Sequence, residues 1–473
     1  MKIRIFQFLL ITVLFSSCSD YLDVSPKANV KAEDLFKDES GYNDALVGVY
    51  TIMSTKSLYG DVLSYGYLDV LAQYYTSINN NEQHRFINAV DYDYDNITEE
   101  NRIKPIWSDH YKAIANLNAI LEFIDSDSSN FSEGVYEVFK GETLALRAYL
   151  HFNLLRLFAQ APVLGTDVEA IPYVDVYGNE PQPASTIAEV LGKIKTDLEL
   201  ARTLMQAYDP YGPNYELIDE ATVPRVLEDR QFRMNYFAAT ALFAKVSLYE
   251  GNYEMALKYA QEVIGTADGI TVAPVSLFQF SSISDDVLAS SETIFGLSIS
   301  KLSEYSDVYF GIDAASGLKT NFLAINSAII DQVYTSSGGS VEVRGMNFFG
   351  ASSGGLRPLA KFEKDNERRM PQFRISELYL LAAEAETDIN NAIAYYNAFT
   401  ANRGIEPQEN VSREELDDLI KKEFQKEFIG EGKMFFFNKR KNSETIGILE
   451  DVDMVPENYV LPIPAAEYEF GNL

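Results

Sequence analysis

A mainly α fold follows from three observations: a tetratricopeptide-like helical-hairpin scaffold of about four units, with long irregular insertions and a few short strands. Residues 235–264 read NYFAATALFAKVSLYEGNYEMALKYAQEVI, two helical segments rich in alanine and aromatics, joined at Gly251-Asn252-Tyr253. A second copy stands at 373–403, where FRISELYLLAAEAE is followed by a short turn and NNAIAYYNAFTANR. Four more segments, 35–53, 106–124, 135–158 and 186–205, carry apolar residues at helical spacing. Small residues let paired helices approach, the turn glycine takes a positive φ, and aromatics fill the seam to the next pair.

Taken in order, the polar stretch 18–31 reads as a tether, and 35–53 is the first helix, with Leu35, Tyr42, Leu46, Val49 and Met53 on one face. Residues 57–105 turn to tyrosine, asparagine and acid, which predicts a long loop with a short helix near 69–75. The segments 106–124, 135–158 and 186–205 follow, with breaks at Pro162, Pro172, Pro181 and Pro183. The expected pairings are 35–53 with 106–124 and 135–158 with 186–205. Between the two recognisable hairpins, 269–371 is rich in Ser and Gly with short apolar runs such as 293–299, and reads as irregular structure with a few strands. Ser412 and Glu415 fit a capping box opening a helix over 412–428, stopped by Gly430-Glu431-Gly432. The tail Tyr459-Val460-Leu461-Pro462-Ile463-Pro464 is extended.

The first residues carry a different message. Lys2 and Arg4 precede an apolar run too short to span a bilayer, and Ser16-Ser17 leads into Cys18, the one cysteine of 473 residues. Residues 1–17 are expected to be a signal peptide, and the small residues before Cys18 resemble a bacterial lipoprotein box, with Phe15 where Leu is usual. Removing the leader takes away two bases and no acid, so 37 basic and 70 acidic side chains give the mature chain a charge of −33. Such a surface repels phosphate backbones, which argues against nucleic acid, and repels anionic lipid. Membrane attachment would then run through N-terminal lipid. With no thiol after Cys18, the exported body has neither disulfide nor cysteine metal site.

These features together resemble the SusD/RagB family of outer-membrane nutrient-binding lipoproteins of the Bacteroidetes type. The resemblance runs from Cys18 to Leu473. It rests on Cys18 followed by Ser19-Asp20-Tyr21-Leu22-Asp23, on Trp107 with Tyr111, Ile114 and Asn118, and on Arg147 through Phe158 to Pro162. Further on it rests on Glu377 through Ala385 with Arg403, on EFQKEFIGEGKMFFFNKR over 423–440, and on Leu461-Pro462-Ile463-Pro464. It implies a single domain over 32–473 at the cell surface, lipid-anchored in the outer membrane, serving as a nutrient-capturing lid on a SusC-like TonB-dependent transporter. Members commonly bind oligosaccharides and some bind peptides. A tryptophan arc facing sugar is common in the family, yet Trp107 is the sole tryptophan and lies on the apolar stripe of a scaffold helix.

No catalytic pattern stands against this. HExxH, GxGxxG and the phosphate-cradling loop are absent, and His84, His110 and His151 are far apart. Among 70 acids some pair at glycosidase spacing arises by chance. Glu377 and Glu384 share a helix face near Arg374 and Arg403 and read as structural ion pairs. Asp91 to Asn96 alternates acids as a calcium loop does but lacks its glycine and final glutamate, so no metal and no cofactor are expected. Ligand contacts are expected from the two insertions, 57–105 and 269–371. The first offers Tyr65, Tyr74, Tyr75, Asn79, Asn80, Asn81 and Arg85; the second offers Tyr305, Tyr309, Asn321, Phe348 and Phe349. The leading expectation is non-enzymatic capture of an oligosaccharide for the transporter. The alternatives are an oligopeptide ligand, a surface glycoside hydrolase, and a scaffold that binds only proteins.

Overall fold

The computed structural model describes residues 32–78, 82–126, 131–215, 224–266, 272–279, 283–313, 317–318, 321–335, 342–362, 368–449 and 452–470. The leader, Cys18 and Asn79 to Asn81 lie outside them. Helices of eight residues or more are labelled α1 (Glu39–Met53), α2 (Ile97–Ile124), α3 (Val135–Phe158), α4 (Ile187–Met205), α5 (Tyr236–Glu250), α6 (Tyr253–Ile264), α7 (Leu302–Phe310), α8 (Ile375–Ala385), α9 (Ile389–Ala401), α10 (Arg413–Glu427) and α11 (Met434–Lys441). None is long and apolar enough to cross a membrane.

Local signals set most helix ends. Thr186 with Glu189 and Ser412 with Glu415 form full capping boxes at the starts of α4 and α10, each satisfying two otherwise orphaned N–H groups. Gly251 ends α5 at φ 87° and Asn252 caps α6. Two boundaries differ from the sequence expectation. The first helix breaks at Phe36 to Asp38, because the Asp38 carboxylate accepts from Gly41 N at 3.1 Å and restarts the helix there. The second begins at Ile97, nine residues early. Asn96 caps it, buried Glu99 and Ile103 tie its first turns down, and Pro105 is carried inside the helix at the loss of one backbone bond.

Neighbouring helices pack in the order α1, α2, α3, α4, α5, α6, α8, α9, so all four expected hairpins form. The central α3 is buried on nearly every side. Gly141 is what allows α4 so close: a Cβ there would lie 2.6 Å from the Met205 side chain and 2.9 Å from Ala201 O. Phe243 stacks on Tyr259 at 4.0 Å across the α5–α6 seam. Trp107 is buried between Tyr111 and Phe158, each ring 4.9 Å away, and is core. His151 is fully buried. Val174 N donates to its Nε2 at 3.0 Å, so its Nδ1 carries the proton toward Arg147 O at 2.9 Å. Burial pushes its pKa down to about 3, as befits a neutral scaffold imidazole.

The second insertion contains more order than its composition suggests. Strand β1 (Thr293–Ser298) pairs antiparallel with β2 (Arg369–Arg374), Thr293 opposite Arg374, and α7 lies between them in sequence with short helices at Ser327–Val333 and Val343–Asn347. The first insertion likewise holds short helices at Tyr67–Leu71 and Ile87–Val90. At the end, Leu461 N donates to Leu157 O at 2.9 Å and docks the tail on α3.

A buried charge cluster joins these parts. Glu427 accepts from Arg374 at 2.8 Å and Arg403 at 2.7 Å, with Arg344 at 3.3 Å from its other oxygen. Glu377 and Glu384 are structural ion-pair partners, though not of Arg374 and Arg403. Glu377 pairs with Lys245 at 2.6 Å and Lys433 at 2.9 Å, and Glu384 pairs with Arg440 at 2.7 Å and with Lys441. The periodicity puts both glutamates on one α8 face; what that face meets is decided by the packing of α5 and α11.

Candidate ligand-binding site

Lys56, Ser57 and Asp61 follow directly on α1, where the chain winds through consecutive turns rather than leaving as an open loop. Gly60 N donates to Thr55 O at 2.9 Å, and Gly66 N to Asp61 O at 3.0 Å. Arg85 stands just before the Ile87–Val90 turn, Arg102 projects from the early turns of α2, and Val308 and Tyr309 come from α7. These residues, with Val62, Thr98, Asn101 and Pro105, line a hollow of about 440 Å³. Both insertions therefore contribute to one wall. That volume lies within the range of small-molecule sites.

Asp61 is the buried polar centre. Tyr309 donates its phenol to Asp61 Oδ2 at 2.8 Å, while Oδ1 has no hydrogen-bond partner. Burial pushes the carboxyl up to about 6, against the Tyr309 hydrogen bond and the fields of Arg85, Lys56 and Arg102. Arg102 is braced by Glu99 at 3.1 Å and donates to Arg85 O at 2.7 Å. The exposed Arg85 guanidinium lies 5.5 Å from the Tyr309 ring centre and 5.1 Å from that of Phe86. Lys56 Nζ sits 4.5 Å over Tyr305. The hollow thus combines apolar side chains such as Val62, Pro105 and Val308 with the Arg85 guanidinium and a carboxyl raised to about 6. Two further hollows flank α7, one of about 670 Å³ reaching Tyr305 and one of about 580 Å³ reaching Glu304 and Asp307.

Of the residues expected to touch ligand, Arg85 lines this hollow and Tyr305 lies on its neighbour; Tyr309 stands behind the wall as a core side chain, 1% exposed with its phenol on Asp61, which corrects the expectation for it. Asn321 is half-buried and outside both linings. Tyr65, Tyr74, Tyr75, Phe348 and Phe349 are core side chains, which corrects the expectation for them. The insertions bury their aromatics against each other and the scaffold, and each phenol finds a backbone carbonyl: Tyr65 on Gly60 O, Tyr74 on Gln425 O, Tyr75 on Tyr65 O. Phe348 packs beneath Lys361, and Phe349 against Tyr334. Asn79, Asn80 and Asn81 lie outside the described residues. Lys56, Asp61 and Arg102 were missed. One signal existed for Lys56, the sole base between Lys37 and Arg85; none marks Asp61 among so many acids. The acidic run 91–96 ends in the α2 cap, with Asn96 Oδ1 accepting from Thr98 N at 3.0 Å. No group of three His, Cys, Asp or Glu is placed to hold a metal ion among the described residues.

The family model described as "Starch-binding associating with outer membrane" matches residues 20–212, and that of the "SusD family" matches 355–446. The chain belongs to the SusD/RagB family. A SusD-like protein of Formosa agariphila is 23% identical over 257 residues, 52% of this chain and 43% of that protein. The chain thus spans under half the length of this curated relative. Among solved structures, a SusD superfamily protein of Bacteroides thetaiotaomicron shares 23% identity at a TM-score of 0.72, over 93% of this chain and 98% of that one. A SusD-like carbohydrate-binding protein of Bacteroides vulgatus shares 18% at 0.71, over 92% and 97%. A laminarin-binding SusD-like protein shares 20% at 0.68, over 92% and 98%. At these identities the likeness is one of fold, and it confirms the mainly helical, tetratricopeptide-like SusD architecture.

Proposed function

We propose that this chain captures an oligosaccharide at the outer cell surface, anchored by lipid on Cys18, and passes it to a SusC-like TonB-dependent transporter without breaking bonds. The observation that carries the reading is the hollow where the two insertions meet. The exposed Arg85 guanidinium at its mouth offers forked donors to adjacent hydroxyls, and the half-buried Tyr305 ring on the neighbouring hollow offers an apolar plane for the C–H side of a sugar ring. The family description and the carbohydrate- and laminarin-binding structural neighbours support a glycan. The burial of the only tryptophan favours a second reading, an oligopeptide ligand in the same hollow.

Calorimetric titration with laminarin-derived and other oligosaccharides, alongside a peptide library, tests the ligand. Binding of a glycan that weakens at least tenfold in Arg85→Gln is expected. Peptide binding with silence across the glycans replaces the ligand, and product release from polysaccharide by the purified protein overturns the non-enzymatic role. Co-purification of a large β-barrel is expected, as is loss of lipid labelling in Cys18→Ala.

A further inference from the structure

The chain carries a large excess of acid, −31 overall, yet the charge that the ligand hollow exposes is basic. Residues 38–101 contain eleven acids and two bases, Lys56 and Arg85, and folding brings both bases to this one hollow, where Arg102 of α2 joins them. The carboxyl in the lining is that of Asp61, which is 5% exposed and accepts the Tyr309 phenol. Two further carboxylates stand behind the lining. Glu99 is wholly buried and braces Arg102 at 3.1 Å, and Asp109 accepts from Ser57 Oγ at 2.5 Å. Glu304 and Asp307 of α7 line a different hollow.

Lys56 and Arg85 are both exposed, and neither has an ion pair with a described residue. They are nonetheless held in place. Lys56 Nζ sits 4.5 Å over the Tyr305 ring, and the Arg85 guanidinium lies 5.5 Å from the Tyr309 ring centre. Tyr305 and Tyr309 are four residues apart on α7, so the two seats share one face of that helix, about 6 Å apart along its axis. Arg102 fixes the chain at Arg85 by donating to its carbonyl at 2.7 Å. A ring covers one side of each cation and leaves N–H groups for an acceptor in the hollow. Beside them Val62, Pro105 and Val308 supply an apolar wall. A bare inorganic ion makes no use of such a wall, whereas a sugar ring that carries an acid group uses both the wall and the cations.

On the glycan reading of this hollow, on which all that follows depends, we infer that its ligand is an acidic oligosaccharide, with uronate carboxylates or sulfate esters that pair with Arg85 and Lys56. Hydrogen bonds between charged partners are roughly twice as strong as neutral ones, so two oriented cations favour an acidic sugar over its uncharged counterpart. The overall negative charge of the chain does not oppose this at close range. At physiological salt the Debye length is about 8 Å, so a bound acid group feels the cations it touches far more than distant carboxylates.

Calorimetry compares matched pairs that differ only in charge: oligogalacturonate with its methyl ester, and sulfated galactan oligosaccharides with their desulfated forms. At least one acidic member is expected to bind at least tenfold more tightly than its neutral partner, and the pair that shows it separates carboxylate from sulfate. Added salt should erode that preference. Lys56→Met and Arg85→Gln, both at exposed positions where folding is little affected, are each expected to lower the acidic-to-neutral affinity ratio at least fivefold. Equal binding within each pair, or a preference that survives both substitutions, overturns the acidic assignment and leaves the glycan reading standing. Silence from every acidic probe overturns it too; neutral glycans that bind in that case keep the glycan reading, and binding of peptides alone removes both.

Discussion

Replacing Glu427 by Gln tests whether the buried charge cluster holds the scaffold to the second insertion. Glu427 is fully buried, with one oxygen shared by Arg374 and Arg403 and the other facing Arg344 and Arg403 Nε at 3.3 Å each. Glutamine keeps the shape but removes the charge and turns an acceptor into a donor that faces donors. Removing one member of a buried pair costs about 3–5 kcal/mol. Glu292, Glu423 and Glu431 still neutralise parts of the cluster, so the lower figure applies. With an unfolding entropy of about 2.1 cal/mol/K per residue, the roughly 400 described residues give a loss of about 1.2 °C of Tm per kcal/mol, or about 3.5 °C in all. Calorimetry at pH 7 measures it, with the exposed Glu199→Gln as a control expected to move Tm by under about 0.5 °C. A Glu427→Gln melt within 1 °C of wild type refutes the reasoning.

Acid should melt the protein steeply. Burial pushes Glu377, Glu384 and Glu431 up, but their lysine and arginine partners outweigh it and hold each carboxyl down at about 2. Their stabilisation is complete above pH 4.5 and is lost as pH falls toward 2, roughly 3 kcal/mol per group, visible as a falling Tm across that window. Asp61 has the opposite sign: raised to about 6, it contributes stability that is present below about pH 4 and lost as pH rises through 6, so Asp61→Asn should flatten Tm between pH 4 and 6 relative to wild type. Gly432→Ala should cost about 2 kcal/mol or more in denaturant unfolding, since φ is 65° there and a Cβ would meet Leu63 O at 2.4 Å. Tyr305→Ala should weaken glycan binding severalfold with only a small fall in Tm, because its half-buried ring borders the ligand side and carries Lys56 while one part of it packs on the core.

What was legible in the sequence is what is local. Helical period, the Ser412 cap, the Gly251 turn and the stripe carrying Trp107 depend on residues within a few positions of one another, and each took the expected form. The insertions were legible only as departures from that period. Whether a tyrosine there lines a hollow or fills a seam depends on partners hundreds of residues away: Asp61 meets Tyr309 across 248 positions, and Tyr74 meets Gln425 across 351. Composition assigned Tyr65, Tyr74 and Tyr305 alike to the ligand, because the three residues are chemically the same. Tertiary packing separated them: a phenol that finds a carbonyl in the core is held there by burial and a hydrogen bond together, and only rings left without that choice remain beside the hollow.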